Sequence, residues 1–189
     1  IEATPALLND QRRRFVSEPD IILQPHSIEN IQEIMRFCFE HRIPVTPQGG
    51  NTGLCGAAVA SGGVLLNLSK INRIREINLA DNSITVEVGV ILQNVQKAAA
   101  EAGRLFPLSL ASEGSCEIGG NIACNAGGLN VLRYGSMRDL VLGLEVVLPN
   151  GELVSHLQPL HKNTTGYDLR HLFIGSEGTL GIITAATLK

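Results

Sequence analysis

The sequence predicts an α+β fold in two lobes, a small parallel βαβ unit followed by a larger, mainly antiparallel sheet with helices. Three observations carry that prediction. Near the N-terminus short apolar runs flank one helical stripe, the pattern of a strand–helix–strand unit. After Ile74 the pattern changes to alternating strands and a hairpin signal. And 11 of the 20 glycines fall in two short windows, Gly49 to Gly63 and Gly114 to Gly128, so the backbone must approach something closely there.

Each element follows from local chemistry. Ile21 to Leu23, closed by Pro25, suits a buried strand. Ser27 then caps a helix whose apolar positions Ile28, Ile31, Ile34, Met35 and Cys38 recur at spacings of three and four. Ile43 to Thr46 and Val64 to Leu68 read as two more strands, with the first glycine window between them. Lobe one is expected over about 18–73 and lobe two over about 74–189. In lobe two, Asp81-Asn82 marks a turn, and Ile84, Val86 and Val88 alternate as a half-buried strand should. Leu92, Val95, Ala98, Ala99 and Ala102 form a helical stripe ending at Gly103. Leu142 to Leu148 runs into Pro149-Asn150-Gly151, a hairpin signal before Glu152 to Val154. Asp168 to Ile174 reads as a short helix and Leu180 to Leu188 as a final strand.

Composition narrows the function classes. With 189 residues, 44% of them hydrophobic and 17% charged, the chain needs neither disulfide nor metal to hold a core. A net charge of -3 and the lack of a basic cluster beyond Arg12, Arg13 and Arg14 argue against nucleic acid; those arginines read as a solvated helix face. No apolar run is long enough to cross a bilayer, which points to the cytoplasm, or to the mitochondrial matrix in a eukaryote. Cys38, Cys55, Cys116 and Cys124 form no C-x-x-C pair and read as reduced thiols with no metal site.

The chemistry sits in the glycine windows. The first reads Pro47-Gln48-Gly49-Gly50-Asn51-Thr52-Gly53-Leu54. Successive glycines after a strand let several N–H groups face one concavity, as in a pyrophosphate cradle. It is neither a Walker A loop nor G-x-G-x-x-G. The second runs from Ser112 through Gly114, Ser115, Gly119, Gly120 and Asn121 to Asn125 and Gly128, mixing glycines with neutral donors. A third, Gly175 to Thr184, leads glycines into a strand edge that could bond a base. Two anion-friendly loops in one small domain suggest a ligand with a long phosphate-containing body.

The runs GGNTGL, GSCEIGGNIACNAGG, LRYGSMRDLVLGLEVVLPNG and NTTGYDLRHLFIGSEGTLGIIT resemble the FAD-binding domain of the vanillyl-alcohol-oxidase-type (PCMH-type) FAD-linked oxidases. Within that group the chain is most similar to the D-2-hydroxyglutarate dehydrogenases, FAD-linked D-lactate dehydrogenases and glycolate oxidase D subunits, from about Pro25 to Lys189. The resemblance implies a PCMH-type fold and an FAD cofactor. It implies that Pro47 and the loop Gly49, Gly50, Asn51, Thr52, Gly53 and Leu54 hold the pyrophosphate. Ser112, Gly114, Ser115, Gly119, Gly120 and Asn121 would line the pyrophosphate, ribityl and isoalloxazine side. Asn125 and Gly128 would lie close to the flavin, and Glu177, Gly178 and Ile183 near the adenosine half. Gly50→Val or Gly120→Val would then abolish FAD binding with little loss of fold.

The same resemblance implies a hydride transfer from the α-carbon of a D-2-hydroxy acid to flavin N5, giving a 2-oxo acid. An electron-transferring flavoprotein or a quinone fits as acceptor. Relatives that attach FAD covalently use a His in the first loop or a Cys early in the second. Asn51 and Glu113 stand at those positions here, with Cys116 displaced, so non-covalent FAD is expected. None of His26, His41, His156, His161 and His171 falls in a glycine window, so no catalytic residue is assigned. The substrate-binding cap and C-terminal segment are expected to be absent, and both chain ends read as cuts in a longer protein. A partial domain of this kind is expected to be inactive alone and able to self-associate through uncovered apolar surface. The alternative is a flavin-binding accessory subunit of a multi-subunit oxidase.

Overall fold

The computed structural model describes residues 1–189. The chain opens with a short helix α1 (Pro5–Leu8) and enters a three-stranded parallel sheet of β1 (Ile21–Leu23), β2 (Val45–Gln48) and β3 (Val64–Asn67). Helix α2 (Ile28–Glu40) links β1 to β2. Its N-terminus is capped as expected, since the Ser27 hydroxyl accepts the Asn30 N–H at 3.2 Å. Ile31, Met35 and Cys38 form its buried stripe.

The sheet order is β1-β3-β2, with Val64 paired to both Ile21 and Val45. The third strand therefore lies in the middle, where its run Val64-Leu65-Leu66-Asn67 is buried on both faces, as an inner parallel strand must be. Strand β2 starts two residues later than the sequence pattern suggested and carries Pro47 in register with Leu66.

The second sheet contains β4 (Ile74–Asn78), β5 (Ser83–Glu87), β6 (Val141–Val147), β7 (Leu153–His156) and β8 (Ile182–Leu188), in the order β4-β5-β8-β6-β7 with every pairing antiparallel. Helices α3 (Leu92–Glu101) and α4 (Ile118–Ala123) follow β5, then the single turns α5 (Val131–Tyr134) and α6 (Met137–Leu140) lead into β6. The turn α7 (Arg170–Phe173) precedes β8. The hairpin at Pro149-Asn150-Gly151 forms as expected, with Gly151 at φ 82°. One core cluster joins both sheets, from Ile31 and Leu66 to Val86 and Leu188.

Three local expectations fail. Strand β1, expected to be buried, lies at the sheet edge with only Ile22 buried and Ile21 exposed. Strands β5 and β6 are not half-buried: apart from Thr85 every residue of both is at least nine-tenths enclosed. Their second face is covered by Arg73, Arg75 and the segment after β7, whose Leu157 carbonyl accepts the Thr187 hydroxyl at 2.9 Å. Nor do Arg12 to Arg14 lie on a helix. They form a tight turn around buried Asp10, with Arg13 at φ 55°. The backbone N–H of Phe15 (2.9 Å), with those of Arg12 and Arg14, holds the Asp10 carboxyl below the usual carboxylate range.

Candidate functional site

The glycine windows meet at one cleft of about 250 Å³, built from the β2–β3 loop, the start of α4 and the turn before β8. Leu68, Val88, Leu110 and Ile182 give it an apolar wall. From Gly49 to Leu54 no backbone N–H donates to another backbone group. A run of free N–H groups beside an apolar wall is an anion-binding concavity.

The side chains of that loop serve the protein as much as the cleft. Asn51 sits at φ 51° and its amide donates to the carbonyls of Ala6 (2.9 Å) and Asn9 (2.7 Å). Buried Gln48 donates to the Leu7 carbonyl at 2.9 Å. Together they clasp the N-terminal segment over the loop and bring Asp10 to the cleft. Sequence reasoning missed this clasp, because nothing local to residues 1 to 10 signals a partner forty residues away.

The second window touches the first through backbone. A Cβ on Gly50 would lie 2.1 Å from the Ser115 carbonyl oxygen, so Gly50 is required by the contact between the two loops. That overturns the expectation that Gly50→Val spares the fold. Gly120 is different: a Cβ there meets nothing within 4 Å and points into open space at the cleft, as does one on Gly53.

Of the residues singled out in the sequence, Pro47, Gly49, Gly50, Asn51, Thr52, Gly53, Leu54, Ser112, Gly119, Gly120, Asn121, Glu177, Gly178 and Ile183 all line this cleft. Gly114, Ser115, Asn125 and Gly128 lie outside its lining. The Ser115 hydroxyl donates to the Ser112 carbonyl at 3.3 Å, and the Asn125 side-chain oxygen accepts the Arg138 N–H at 3.0 Å. Gly128 packs against the Ser109 carbonyl, too close for any side chain. None of the five histidines lines the cleft.

Two polar atoms at the cleft have no partner. They are Nδ2 of Asn121, whose residue is 5% exposed, and Oε2 of Glu117, whose residue is 7% exposed. Such atoms are rare in a folded protein and mark a place where something else binds. Glu117 was not singled out in the sequence, although it stands inside the second window between Cys116 and Ile118, both buried. A charged residue between two core positions was the available signal. Burial, with no opposing charge nearby, pushes its carboxyl up to about 8. Cys55, Cys116 and Cys124 also line the cleft, with no disulfide in the chain and no His/Cys/Asp/Glu group suited to a metal ion.

A mostly apolar cleft edged by free backbone donors has the make-up of a site for a ligand that joins an aromatic ring to phosphates. The FAD binding domain family matches residues 19–156, and the chain belongs to that family. It is 48% identical over 181 residues to a D-2-hydroxyglutarate dehydrogenase of Xanthomonas citri pv. viticola, covering 95% of this chain and 38% of the relative. It is 41% identical over 180 residues to a D-2-hydroxyglutarate–pyruvate transhydrogenase of Saccharomyces cerevisiae, covering 95% and 36% respectively. Among solved structures an alkyldihydroxyacetonephosphate synthase shares the fold at a TM-score of 0.81 and 24% identity, over 94% of this chain and 32% of that one. The chain thus spans about a third of the length of these relatives.

The residues present fit FAD. Free N–H groups from Gly49 to Leu54 suit a pyrophosphate, the apolar wall suits an aromatic ring system, and the open space at Gly53 and Gly120 leaves room for the chain of the dinucleotide. No helix is long and apolar enough to cross a membrane.

Proposed function

We propose that this chain is the flavin-holding part of a D-2-hydroxy-acid dehydrogenase, with D-2-hydroxyglutarate or a related 2-hydroxy acid as substrate of the whole protein. The observation that carries the reading is the run of unpaired N–H groups from Gly49 to Leu54, in residues that line the same cleft as the unpaired Asn121 amide. When bound, FAD supplies the acceptor for a hydride from the substrate's α-carbon. The chain's own residues bind, orient and shield it. The Gly49–Leu54 loop cradles the pyrophosphate through backbone donors, with Pro47 and Thr52 at its edges. Ser112, Gly119, Gly120 and Asn121 flank the extended middle of the cofactor, and Glu177, Gly178 and Ile183 close the far end. Gly114, Ser115, Asn125 and Gly128 support the shape of the second window from behind.

Attachment is non-covalent in this reading. No His lines the cleft, and Cys116, although part of its lining, is 2% exposed and packed into the hydrophobic core. Substrate binding, proton transfer and the electron acceptor belong to the portion of the relatives that extends beyond this match. An electron-transferring flavoprotein or a quinone fits as acceptor, and the name of the yeast relative adds pyruvate. Exposed Leu129, Leu132 and Tyr167 would then lie under that further portion, and would promote self-association without it.

The test is a visible absorption spectrum after the chain is mixed with FAD and desalted. A flavin spectrum that travels with the protein and is freed by acid supports the reading. A folded protein that retains no flavin, alone or with the remainder of the protein supplied, overturns it.

A further inference from the structure

The two unpaired atoms at the cleft lie four residues apart, at the cap and the fourth position of α4. The Asn121 N–H donates to the Glu117 carbonyl at 3.0 Å, which holds the two residues on adjoining turns of the chain. They are nine-tenths buried, yet neither finds a partner within the chain. The carboxyl of Glu117 rests against Gly49, at the start of the free N–H run: a Cβ on Gly49 would be 3.0 Å from its Oε2. Even so, the Glu117 side chain accepts none of those N–H groups. Its task is therefore not to satisfy the loop.

An ionised Glu117 would be a poor neighbour for a dinucleotide. It would repel the phosphates and compete with them for the loop's donors. A protonated Glu117 does the reverse, because a neutral carboxylic acid has an O–H to donate. We propose that Glu117 and Asn121 form a two-donor seat in the wall of the cleft, in which the Glu117 carboxyl stays protonated and donates to an oxygen of the bound dinucleotide. This rests on the FAD reading of the cleft and adds to it a binding residue and a linked proton.

The surroundings permit that protonation state. No charged group offsets the burial of Glu117, whose proton is held to about pH 8. The other titratable groups around the cleft are Asp10, Cys55, Cys116, Cys124 and Glu177. Asp10 is held ionised by its own turn, and burial first, then Glu177 and Cys55, pushes the Cys124 thiol above its ordinary 9.0. Between pH 6 and pH 9 Asp10 and Cys124 therefore keep one state while Glu117 changes.

The experiment is a flavin-fluorescence titration of the chain with FAD from pH 6 to pH 9, on the wild type and on Glu117→Gln. Calorimetric proton uptake is measured at pH 8.5 in two buffers of different ionisation enthalpy. The wild type is expected to lose about five- to tenfold in affinity over the last pH unit, the behaviour of one linked proton, and to take up a proton on binding. Glu117→Gln, which keeps a donor but cannot ionise, is expected to bind without that pH dependence and without proton uptake. FAD binding with no pH dependence in the wild type, or with the same dependence in Glu117→Gln, overturns the proposal and leaves the FAD reading standing. No FAD binding at any pH by a folded chain, with the remainder of the protein also supplied, overturns both. A third variant, Glu117→Ala, separates loss of the donor from loss of the charge: it should bind weakly and with no pH dependence.

Discussion

Two buried glutamates in this molecule have opposite surroundings. Glu87, at the end of β5, is 2% exposed, and every part of its carboxyl is engaged. The Arg73 backbone N–H donates to it at 2.8 Å, the Arg73 guanidinium at 2.9 Å and the Arg75 guanidinium at 3.3 Å. Arg75 reaches on to buried Glu145 at 3.1 Å, which also accepts the hydroxyls of Ser155 and Thr184. Burial alone would raise the Glu87 pKa, but the Arg73 bonds and both guanidinium charges outweigh it and hold the carboxyl below its ordinary range. Glu117 has comparable burial and no such partners, and its pKa moves the other way. The first arrangement is complete within the chain and supports the sheet. The second is incomplete within the chain, which is what a binding site looks like before its ligand is considered.

The largest effect that would break the comparison is expected at Glu87. Glu87→Ala leaves Arg75 beside buried Glu145 with half of its network gone, and strands the hydrogen bonds of the Arg73 backbone. The loss should be about 3 kcal/mol in chemical denaturation, toward the low end for a buried pair because Arg73 is mostly solvent-exposed. A loss under 1 kcal/mol would mean that the network does not hold the sheet. The pH dependence has a fixed sign. A carboxyl with a lowered folded pKa contributes stability above its ordinary value of 4.5 and loses it as pH falls below that value.

Glu117 predicts a pH effect of opposite sign. Its folded pKa is raised, so its contribution is fully present below 4.5 and is lost as pH rises toward about 8. The cofactor-free protein therefore gives up stability between those values, and Glu117→Gln removes that loss. At pH 8 the variant should be the more stable of the two by a few kcal/mol, a margin that shrinks to nothing as pH falls below 4.5. Equal stability at both pH values would show that the Glu117 carboxyl is solvated after all.

How much of this was legible in the sequence follows the range of the interactions. The α2 cap at Ser27, the stripe of α3 and the Asn150-Gly151 hairpin were readable because each is decided within a few residues. The position of β3 in the middle of its sheet was not, although its unbroken apolar run allowed a strand with both faces covered. The burial of β5 and β6 on both faces depends on Arg73 and Arg75 folding back over the sheet, a contact that no alternation pattern encodes. In the site, the glycine windows and their donors were visible as composition. What escaped was the direction in which side chains point. Asn51 turns its amide inward to the N-terminal segment, and Glu117 turns its carboxyl toward Gly49.

The smallest expected effect on stability is the one that most sharpens the contrast between structure and site. Gly50 and Gly120 look alike in the sequence, each the second of a glycine pair in its window. At Gly50 an added side chain would strike the Ser115 carbonyl, so Gly50→Val should lower stability and FAD binding together. At Gly120 the added atoms enter open space, and valine is not a worse helix residue than the glycine it replaces in α4. Gly120→Val should therefore change the unfolding free energy by no more than about 0.5 kcal/mol. In the same protein FAD retention should fall by a hundredfold or more, because the valine occupies space the cofactor needs. Melting curves and desalting spectra on the one variant check both halves. Retention of FAD at wild-type strength would move the cofactor away from α4, and with it the role given to Asn121 and Glu117. Unfolding instead would mean that Gly120, like Gly50, serves the packing of the loops, and the open space beside it would lose its meaning as a cofactor path.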